Sequence, residues 1–333
     1  MLFQGGWARR PALILGLAAA ALLFAATVEA STGDRLVIFR DCVKTCKENH
    51  CEPGSTSMEI PLHRRLLLWD CPAECDYLCQ HATTARRIQT GRAIVQFHGK
   101  WPFRRILGMQ EPFSVLFSLA NLWAHATGLA HLRASVPPSY PLLRFYKFFA
   151  YVGIASWVFS SIFHTRDFAI TEELDYLAAG ASVLCGLYYT AVRVFRLDRP
   201  DSRTRRRLRA WTTLCAVLFA AHVGYLKGVR WSYTYNMSAN VVVGVLHNIL
   251  WYWLSVQNYL RTGHKWTLVP IVVVTWIMLA GCLELFDFPP IWGFFDAHCL
   301  WHLGTVAPVY ILYRYLAKDA LEDLAASKKK FMA

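Results

Sequence analysis

Two histidine-containing segments carry the residues that are best suited to chemistry in this sequence. The first, "SSIFHTRDFAITEELDY", has Ser160 and His164 four positions apart and Asp175 further on. The second, "FFDAHCLWHLG", has His298 and His302 four positions apart. Residues four apart lie on one face of a helix, so each pair can direct two side chains toward one point.

Three imidazoles, a carboxylate and a hydroxyl form a donor set that suits zinc. Three histidines leave a fourth coordination position for water, and zinc lowers the pKa of that water and polarises a carbonyl, which is the chemistry of hydrolysis. We therefore predict that His164, His298 and His302 bind the metal. Asp175 would orient the water or act as general base, and Ser160 would be a weak ligand or stabilise an oxyanion. The alternative is that these histidines are only hydrogen-bonded interfacial residues.

The composition indicates where these residues lie. Of 333 residues, 55% are apolar and only 17% are charged, which is typical of a membrane protein. Seven apolar segments have the length that a helix needs to cross a bilayer, and they cover residues 113–130, 146–164, 174–194, 210–226, 238–260, 266–285 and 292–315. Because the runs are continuous rather than alternating, we predict an all-α membrane protein, a seven-transmembrane-helix bundle, and not a β-barrel.

The N-terminal segment predicts the orientation of the bundle. Residues 1–30 have the arginines, apolar run and small residues of a cleavable signal peptide, although the run is slightly long and an uncleaved anchor is the alternative. We therefore divide the chain into a signal peptide (1–30), a luminal cysteine-rich domain with a juxtamembrane strap (31–110), a seven-helix hydrolase domain (111–316) and a cytosolic tail (317–333).

Loop charges agree with this orientation. The stretch 193–209 holds eight arginines and would lie in the cytosol, as the positive-inside rule requires. The net charge of +13 is thus a topology signal and does not indicate a nucleic-acid partner. One group of luminal cations departs from the rule, and we call it the basic strap: Arg86, Arg87, Arg92, Lys100, Arg104 and Arg105. The strap is either a solvated surface or a patch that meets an anionic lipid headgroup.

A glycosylation motif and a cysteine cluster also fit a luminal N-terminal region. Asn236-Met237-Ser238 is a sequon in a connection that this topology makes luminal, where glycosylation is chemically possible. Six of the ten cysteines lie between residues 42 and 79. In a small luminal segment they indicate three disulfides of undetermined pairing, with zinc binding as the alternative. The other four, Cys185, Cys215, Cys282 and Cys299, are predicted to be small apolar packing residues.

Other polar residues of the apolar segments have a structural interpretation. We expect interhelical hydrogen bonds, which membrane bundles use to hold helices together, from Asn121, His125, His222, His247 and Asn248. Three carboxylates close to the second histidine pair, Glu284, Asp287 and Asp296, are candidates to support the metal ligands from outside the coordination sphere.

The chain resembles the Per-like family of post-GPI-attachment-to-proteins factors, within the CREST superfamily of seven-helix membrane hydrolases. The resemblance covers nearly the whole mature chain and rests on "GDRLVIFRDCVKTC", "CPAECDYLC", "QFHGKWPFRRILGMQEP", "FHTRDFAITEELDY" and "LELFDFPPIWGFFDAHCLWH". It implies a GPI-specific phospholipase A2-like enzyme that removes the sn-2 unsaturated acyl chain from the phosphatidylinositol of GPI-anchored proteins. It also implies a zinc site formed by His164, His298 and His302 and completed by Ser160 and Asp175.

The resemblance further implies a compartment and a substrate position. Animal members of the family are associated with the Golgi apparatus and fungal members with the endoplasmic reticulum. A GPI anchor lies in the luminal leaflet, and the basic strap would be placed to meet its inositol phosphate. Two other functions remain open at this point: an amidase acting on ceramide-like lipids, and a non-catalytic receptor or chaperone with a structural metal.

Overall fold

The computed structural model describes residues 31–332. The predicted signal peptide, 1–30, lies outside the described residues. The described chain forms ten α-helices, which we number in order: α1 (Val37–His50), α2 (Leu62–Leu66), α3 (Cys71–Gln89), α4 (Pro112–Ser135), α5 (Leu143–Thr165), α6 (Ala169–Val194), α7 (Ser202–Gly228), α8 (Tyr233–Thr262), α9 (Val269–Gly281) and α10 (Ala297–Met332). Short 3-10 turns at Lys265–Leu268 and Cys282–Leu285 flank α9. No β-strand occurs between residues 31 and 332, which confirms the all-α prediction.

Within residues 31–332, five helical segments are long and apolar enough to cross a membrane: Pro112–Ser135, Leu143–Thr165, Ala169–Val194, Tyr233–Thr262 and Lys265–Glu284. The other two predicted spans are also helical and lie in α7 and α10, but they are not among these five segments. The first two turns of α7 are rich in arginine, and α10 carries two histidines at its start and charged residues at its end. The chain is thus a multi-pass membrane protein, and the count of seven spans stays a prediction.

Six of the helices close into a ring in which each packs against the next: α4, α5, α6, α8, α9 and α10, which returns to α4. The seventh long helix, α7, packs against α6 outside this ring. Large aromatic side chains fill the centre, and the rings of Tyr146, Tyr189 and Trp251 are fully buried. At Gly128 an added Cβ would lie 2.2 Å from the Tyr313 ring, so a residue without a side chain is needed where α4 meets α10.

Most of the polar residues inside the bundle join helices, as predicted. His125 bonds the Tyr313 hydroxyl, His222 bonds the Asn236 side chain, and His247 bonds Thr190. Asn121 donates to the carbonyl of His302 at 2.8 Å. Asn248 is the exception, since its side chain makes no hydrogen bond with any described residue.

The cysteine-rich domain is a pair of helices held by three nested disulfides. Cys42–Cys79, Cys46–Cys75 and Cys51–Cys71 join α1 to the antiparallel α3. The prediction of three bridges is confirmed. The zinc alternative for these cysteines is wrong, because a sulfur in a disulfide has no thiolate to offer a metal. Of the free cysteines, three are buried and Cys282 is exposed on the outside of the bundle.

The sequon does not lie in a loop. Asn236 is in the first turn of α8, its side chain is buried, and its amide oxygen accepts hydrogen bonds from His222 and Asn240. The predicted placement in the connection after the fourth span is therefore wrong, because α8 begins earlier than its apolar run does. A buried, hydrogen-bonded asparagine inside a helix is a poor acceptor for a glycan.

The last helix extends beyond the predicted boundary between residues 316 and 317. It continues without a break to Met332 and places Asp319 against Arg193 of the third predicted span and Asp323 against Arg196, which lies just beyond that span. Arg193 and Asp319 are both buried, and Arg196 pairs with Asp323. The start of the predicted tail is thus packed against the bundle.

Candidate metal centre

The three predicted metal ligands converge at one end of the bundle. His164 is in the last turn of α5, and His298 and His302 are in the first two turns of α10. The ring centroid of His164 lies 5.1 Å from the centroid of each of the other two histidines, and the centroids of His298 and His302 are 4.6 Å apart. One nitrogen of each ring lies within 4.8 Å of the others. The end of α5 and the start of α10 thus form a common cluster, as the sequence predicted.

Each of the three rings uses its Nδ1 atom in a hydrogen bond that points away from the cluster. His164 donates to Glu111 at 2.7 Å and His298 donates to Glu284 at 2.8 Å. Because an ionised carboxylate can only accept, Nδ1 carries a proton in these two rings, and in the neutral imidazole that a metal requires the lone pair is then on Nε2. His302 Nδ1 lies 3.1 Å from the Ser118 hydroxyl.

The free ring nitrogens pass a test for a metal site. His164 Nε2 and His298 Nε2 are buried and have no hydrogen-bond partner among the described residues. Buried polar atoms are nearly always paired, so two orphaned ring nitrogens in one cluster call for a partner. A ligating histidine that donates its other ring N–H to a carboxylate is the common arrangement around zinc. The residues present therefore fit a bound zinc ion.

Ser160 reaches the cluster through another serine. Its hydroxyl lies 3.0 Å from that of Ser118, which in turn bonds His302. Both serines are buried. Ser160 is thus part of a chain of hydroxyls that ends on a candidate ligand, and the described contacts place it beside His302.

Asp175 lies one turn later in its helix than expected, because α6 begins at Ala169 and the residue falls in the second turn. It is close enough to His164 and His298 to interact with both electrostatically. Its side chain makes no hydrogen bond with any described residue. Its carboxylate is therefore near the cluster and not committed to another group.

Glu111 connects the cluster to the cysteine-rich side of the chain. It immediately precedes α4, and its backbone N–H bonds the carbonyl of His164 while its side chain holds the ring. The Lys100 ammonium donates to Glu111 at 2.7 Å and also pairs with Asp167 at 2.9 Å. Burial opposes the ionisation of Glu111, but Lys100 and His164 outweigh it and hold the pKa of this carboxyl well below its usual range.

These contacts correct the interpretation of the basic strap as one headgroup patch. Lys100 is committed to Glu111 and Asp167, and Arg105 pairs with the buried Glu74 at 2.8 Å while stacking on Trp69. The charges of these two cations are therefore used in ion pairs within the protein. Arg86, Arg92 and Arg104 remain exposed.

Of the three candidate supporting carboxylates, only Glu284 contacts a histidine ring. It bridges His298 and the Tyr233 hydroxyl. Asp287 accepts from Gln96 and Trp101, and Asp296 accepts from the backbone N–H of Cys299 at the start of α10.

Sequence reasoning missed Glu111 and Ser118. The one available signal for Glu111 was a carboxylate directly before the first apolar run, and Ser118 had no signal.

Loss of the Glu111 carboxylate is expected to weaken metal binding. Glu111→Gln keeps the side-chain shape but removes the charge that orients and polarises the His164 ring, so zinc affinity is expected to fall about 10–100-fold. Competition with a chelator on the purified full-length chain measures this directly. Asp287→Asn makes the same chemical change on a carboxylate that touches none of the three rings, and it should leave affinity unchanged. Equal affinities for wild type and Glu111→Gln would contradict the assigned role.

Comparison with known proteins identifies relatives over most of the chain. Residues 61–320 match the Per1-like family. A Schizosaccharomyces pombe protein described as the PER1 homolog is 41% identical over 310 residues, which cover 92% of this chain and 92% of that protein. The human GPI-specific phospholipase A2-like PGAP3 is 36% identical over 323 residues, 95% of this chain and 98% of that protein. The Cricetulus griseus protein of the same description is 38% identical over 306 residues, 90% of this chain and 93% of that protein. Together, the family match and these identities show that the chain belongs to the Per1-like family.

Proposed function

We propose that this protein is a zinc-dependent membrane hydrolase that removes the sn-2 acyl chain from the phosphatidylinositol of GPI-anchored proteins. The observation that carries the proposal is the convergence of three imidazoles whose Nδ1 atoms are already engaged, which leaves two buried Nε2 atoms with no partner among residues 31–332. Relatives described as GPI-specific phospholipase A2-like support the choice of substrate.

The proposed metal ligands are His164, His298 and His302. A zinc ion held there supplies Lewis-acid polarisation of an ester carbonyl and a water whose pKa is lowered to about 7. Glu111 and Glu284 keep two of the imidazoles in the tautomer that presents a lone pair inward. Ser118 holds the third ring through its Nδ1 atom.

Asp175 and Ser160 are the proposed catalytic side chains. The uncommitted Asp175 carboxylate is suited to accept a proton from water as its oxygen attacks the ester carbonyl, and to return it to the glycerol oxygen that leaves. The products are a free fatty acid and a lyso-lipid that remains attached to the protein substrate. Ser160 is suited to stabilise negative charge on the carbonyl oxygen, with Ser118 fixing its orientation.

The proposed topology places this chemistry at the luminal face. We infer seven spans, with α7 and α10 as the fourth and seventh, a cleaved signal peptide at 1–30, a luminal domain at 31–110, the hydrolase domain at 111–316 and a cytosolic tail at 317–333. The arginine-rich start of α7 then faces the cytosol. Family resemblance supports a place in the Golgi or endoplasmic reticulum membrane, where GPI-anchored proteins pass.

An assay with defined lipids tests this function. The full-length protein is purified with zinc and given a GPI-anchored protein whose sn-2 acyl chain is labelled, the same substrate labelled at sn-1, and a ceramide labelled on its N-acyl chain. Release of the sn-2 label alone is expected. Cleavage of ceramide would indicate the amidase alternative. If the folded, zinc-loaded protein released no label, it would be a receptor or chaperone with a structural metal.

A further inference from the structure

A groove lies between α6, α7 and α8, at the end of the bundle opposite the histidine cluster. Its volume is about 490 Å³, which is within the range of ~300–1,000 Å³ typical of ligand sites. Its walls are almost entirely apolar: Leu187 and Phe195 come from α6 and the residue after it, and Leu246 and Leu250 come from α8. The charged residue in its lining is Arg207 of α7.

Near the groove α7 is held to α6, and at the histidine-cluster end it is held to both α6 and α8. Close to the groove, α7 is held to α6, since the Trp211 indole donates to the carbonyl of Tyr188 at 3.2 Å. At the histidine-cluster end it is held to α8, where the rings of Tyr225 and Tyr235 are 4.4 Å apart. The groove lies beside the first of these contacts, where Arg207 and Trp211 of α7 line it together with residues of α6 and α8.

The sides of the groove are suited to hydrocarbon. Phe195 is 57% exposed and Leu246 is 43% exposed, although both are large apolar side chains. The indole N–H of Trp211 is already bonded to α6, so the ring presents apolar carbon to the groove. In a membrane protein such a surface is covered by lipid acyl chains, because no water is present to be expelled and only close packing selects the occupant.

The rim of the groove is suited to an anion. Residues 199–209 contain six arginines and one acidic residue, Asp201, whose carboxylate is used to cap the first turn of α7. Arg207 is exposed, and no described carboxylate lies within ion-pairing distance of it. Cations at the membrane surface attract anionic lipids, and a guanidinium binds phosphate oxygens with two parallel hydrogen bonds.

We propose that this groove binds one anionic glycerophospholipid of the leaflet opposite the histidine cluster. One acyl chain lies between α7 and α8, and the lipid phosphate lies on Arg207. Because α6 runs from the histidine-cluster end toward Phe195, the headgroup lies at the other membrane surface and the lipid is not the substrate of the proposed hydrolase. The site therefore does not depend on the proposed function.

Native mass spectrometry of the full-length chain tests the proposal. The protein is purified in detergent and offered equal amounts of phosphatidylserine and phosphatidylcholine with acyl chains of distinguishable mass. We expect phosphatidylserine to be retained roughly fivefold over phosphatidylcholine, from one surface cation. Arg207→Gln should remove this preference. The control, Arg209→Gln, removes the same charge from the opposite face of α7. It should leave the preference for phosphatidylserine unchanged.

Photolabelling locates the bound lipid. A phosphatidylserine with a photoactivatable acyl chain should label α6 and α8 within residues 187–195 and 246–250. Ile249→Trp fills the groove and should reduce this labelling, whereas Val217→Trp introduces the same side chain on an exposed part of α7 outside the groove and should not. Equal retention of the two lipids, equal effects of the two arginine variants, or labelling that Ile249→Trp does not reduce would overturn the proposal.

Discussion

His302→Ala is expected to leave a folded protein that binds no zinc and releases acyl chains more than about 100-fold more slowly. Removal of a group that only supports a metal ligand already costs about 10–100-fold, and His302 is one of the three proposed ligands themselves. Its ring is buried and its centroid lies 4.6 Å from that of His298. Two imidazoles are too few to hold a catalytic zinc ion against loss to solvent, since catalytic sites use three protein ligands.

The zinc content of the protein and the acyl-chain remodelling of GPI anchors are measured separately to test this result. Metal analysis of the purified variant gives the zinc content per chain. In cells that lack the protein, wild type and variant are supplied at equal abundance, and the acyl chains on released GPI anchors are analysed by mass spectrometry. His131→Ala removes an imidazole at the far end of α4 and should behave as wild type. Unchanged remodelling by His302→Ala would exclude the catalytic role of the cluster.

Arg193→Met is expected to destabilise the bundle by about 3–5 kcal/mol. The Arg193 guanidinium donates to both oxygens of Asp319, at 2.6 Å and 2.7 Å, and both side chains are buried. Loss of the cation leaves the Asp319 carboxylate buried without a partner, which costs more than the pair itself contributes. The contact joins α6 to the part of α10 that follows the last predicted span, so its loss should separate these two helices first.

A double variant distinguishes loss of a charge pair from loss of packing. Arg193→Met with Asp319→Leu replaces both charges by apolar groups, and most of the lost stability should return. Arg199→Gln removes an exposed arginine from the following loop and should change stability little. The midpoint of thermal unfolding in detergent is measured for all variants. If Arg193→Met alone unfolds at the temperature of wild type, the buried pair does not hold α10 in place.

The sequence predicted the candidate ligands because their signals are local. An i, i+4 pair of histidines faces one direction in any helix, and a run of about 20 apolar residues spans a membrane wherever it occurs. The helices, the three disulfides and the convergence of His164, His298 and His302 followed from such patterns. Boundaries were less accurate: α6 begins before its apolar run, which moved Asp175 into the second turn, and α8 begins early enough to include Asn236.

The groups that support the site could not be predicted in the same way. Glu111 and His164 are separated by 53 residues and Ser118 and His302 by 184, so their contacts depend on how each helix is rotated and shifted against its neighbours. Lys100 looked like part of a basic surface, but its charge is used inside the protein. Hydrophobic periodicity specifies which face of a helix is buried and does not specify its partner.

The sequence by itself thus determined the type of each element, the number of disulfides and the identity of the residues able to bind a metal. The tertiary structure decided which nitrogen of each imidazole is free, which carboxylates hold the rings and which cations remain at the surface. The physical reason is the range of the interactions. Helix formation and membrane partitioning depend on neighbouring residues, whereas hydrogen bonds and ion pairs require atoms from distant segments to meet within about 3 Å.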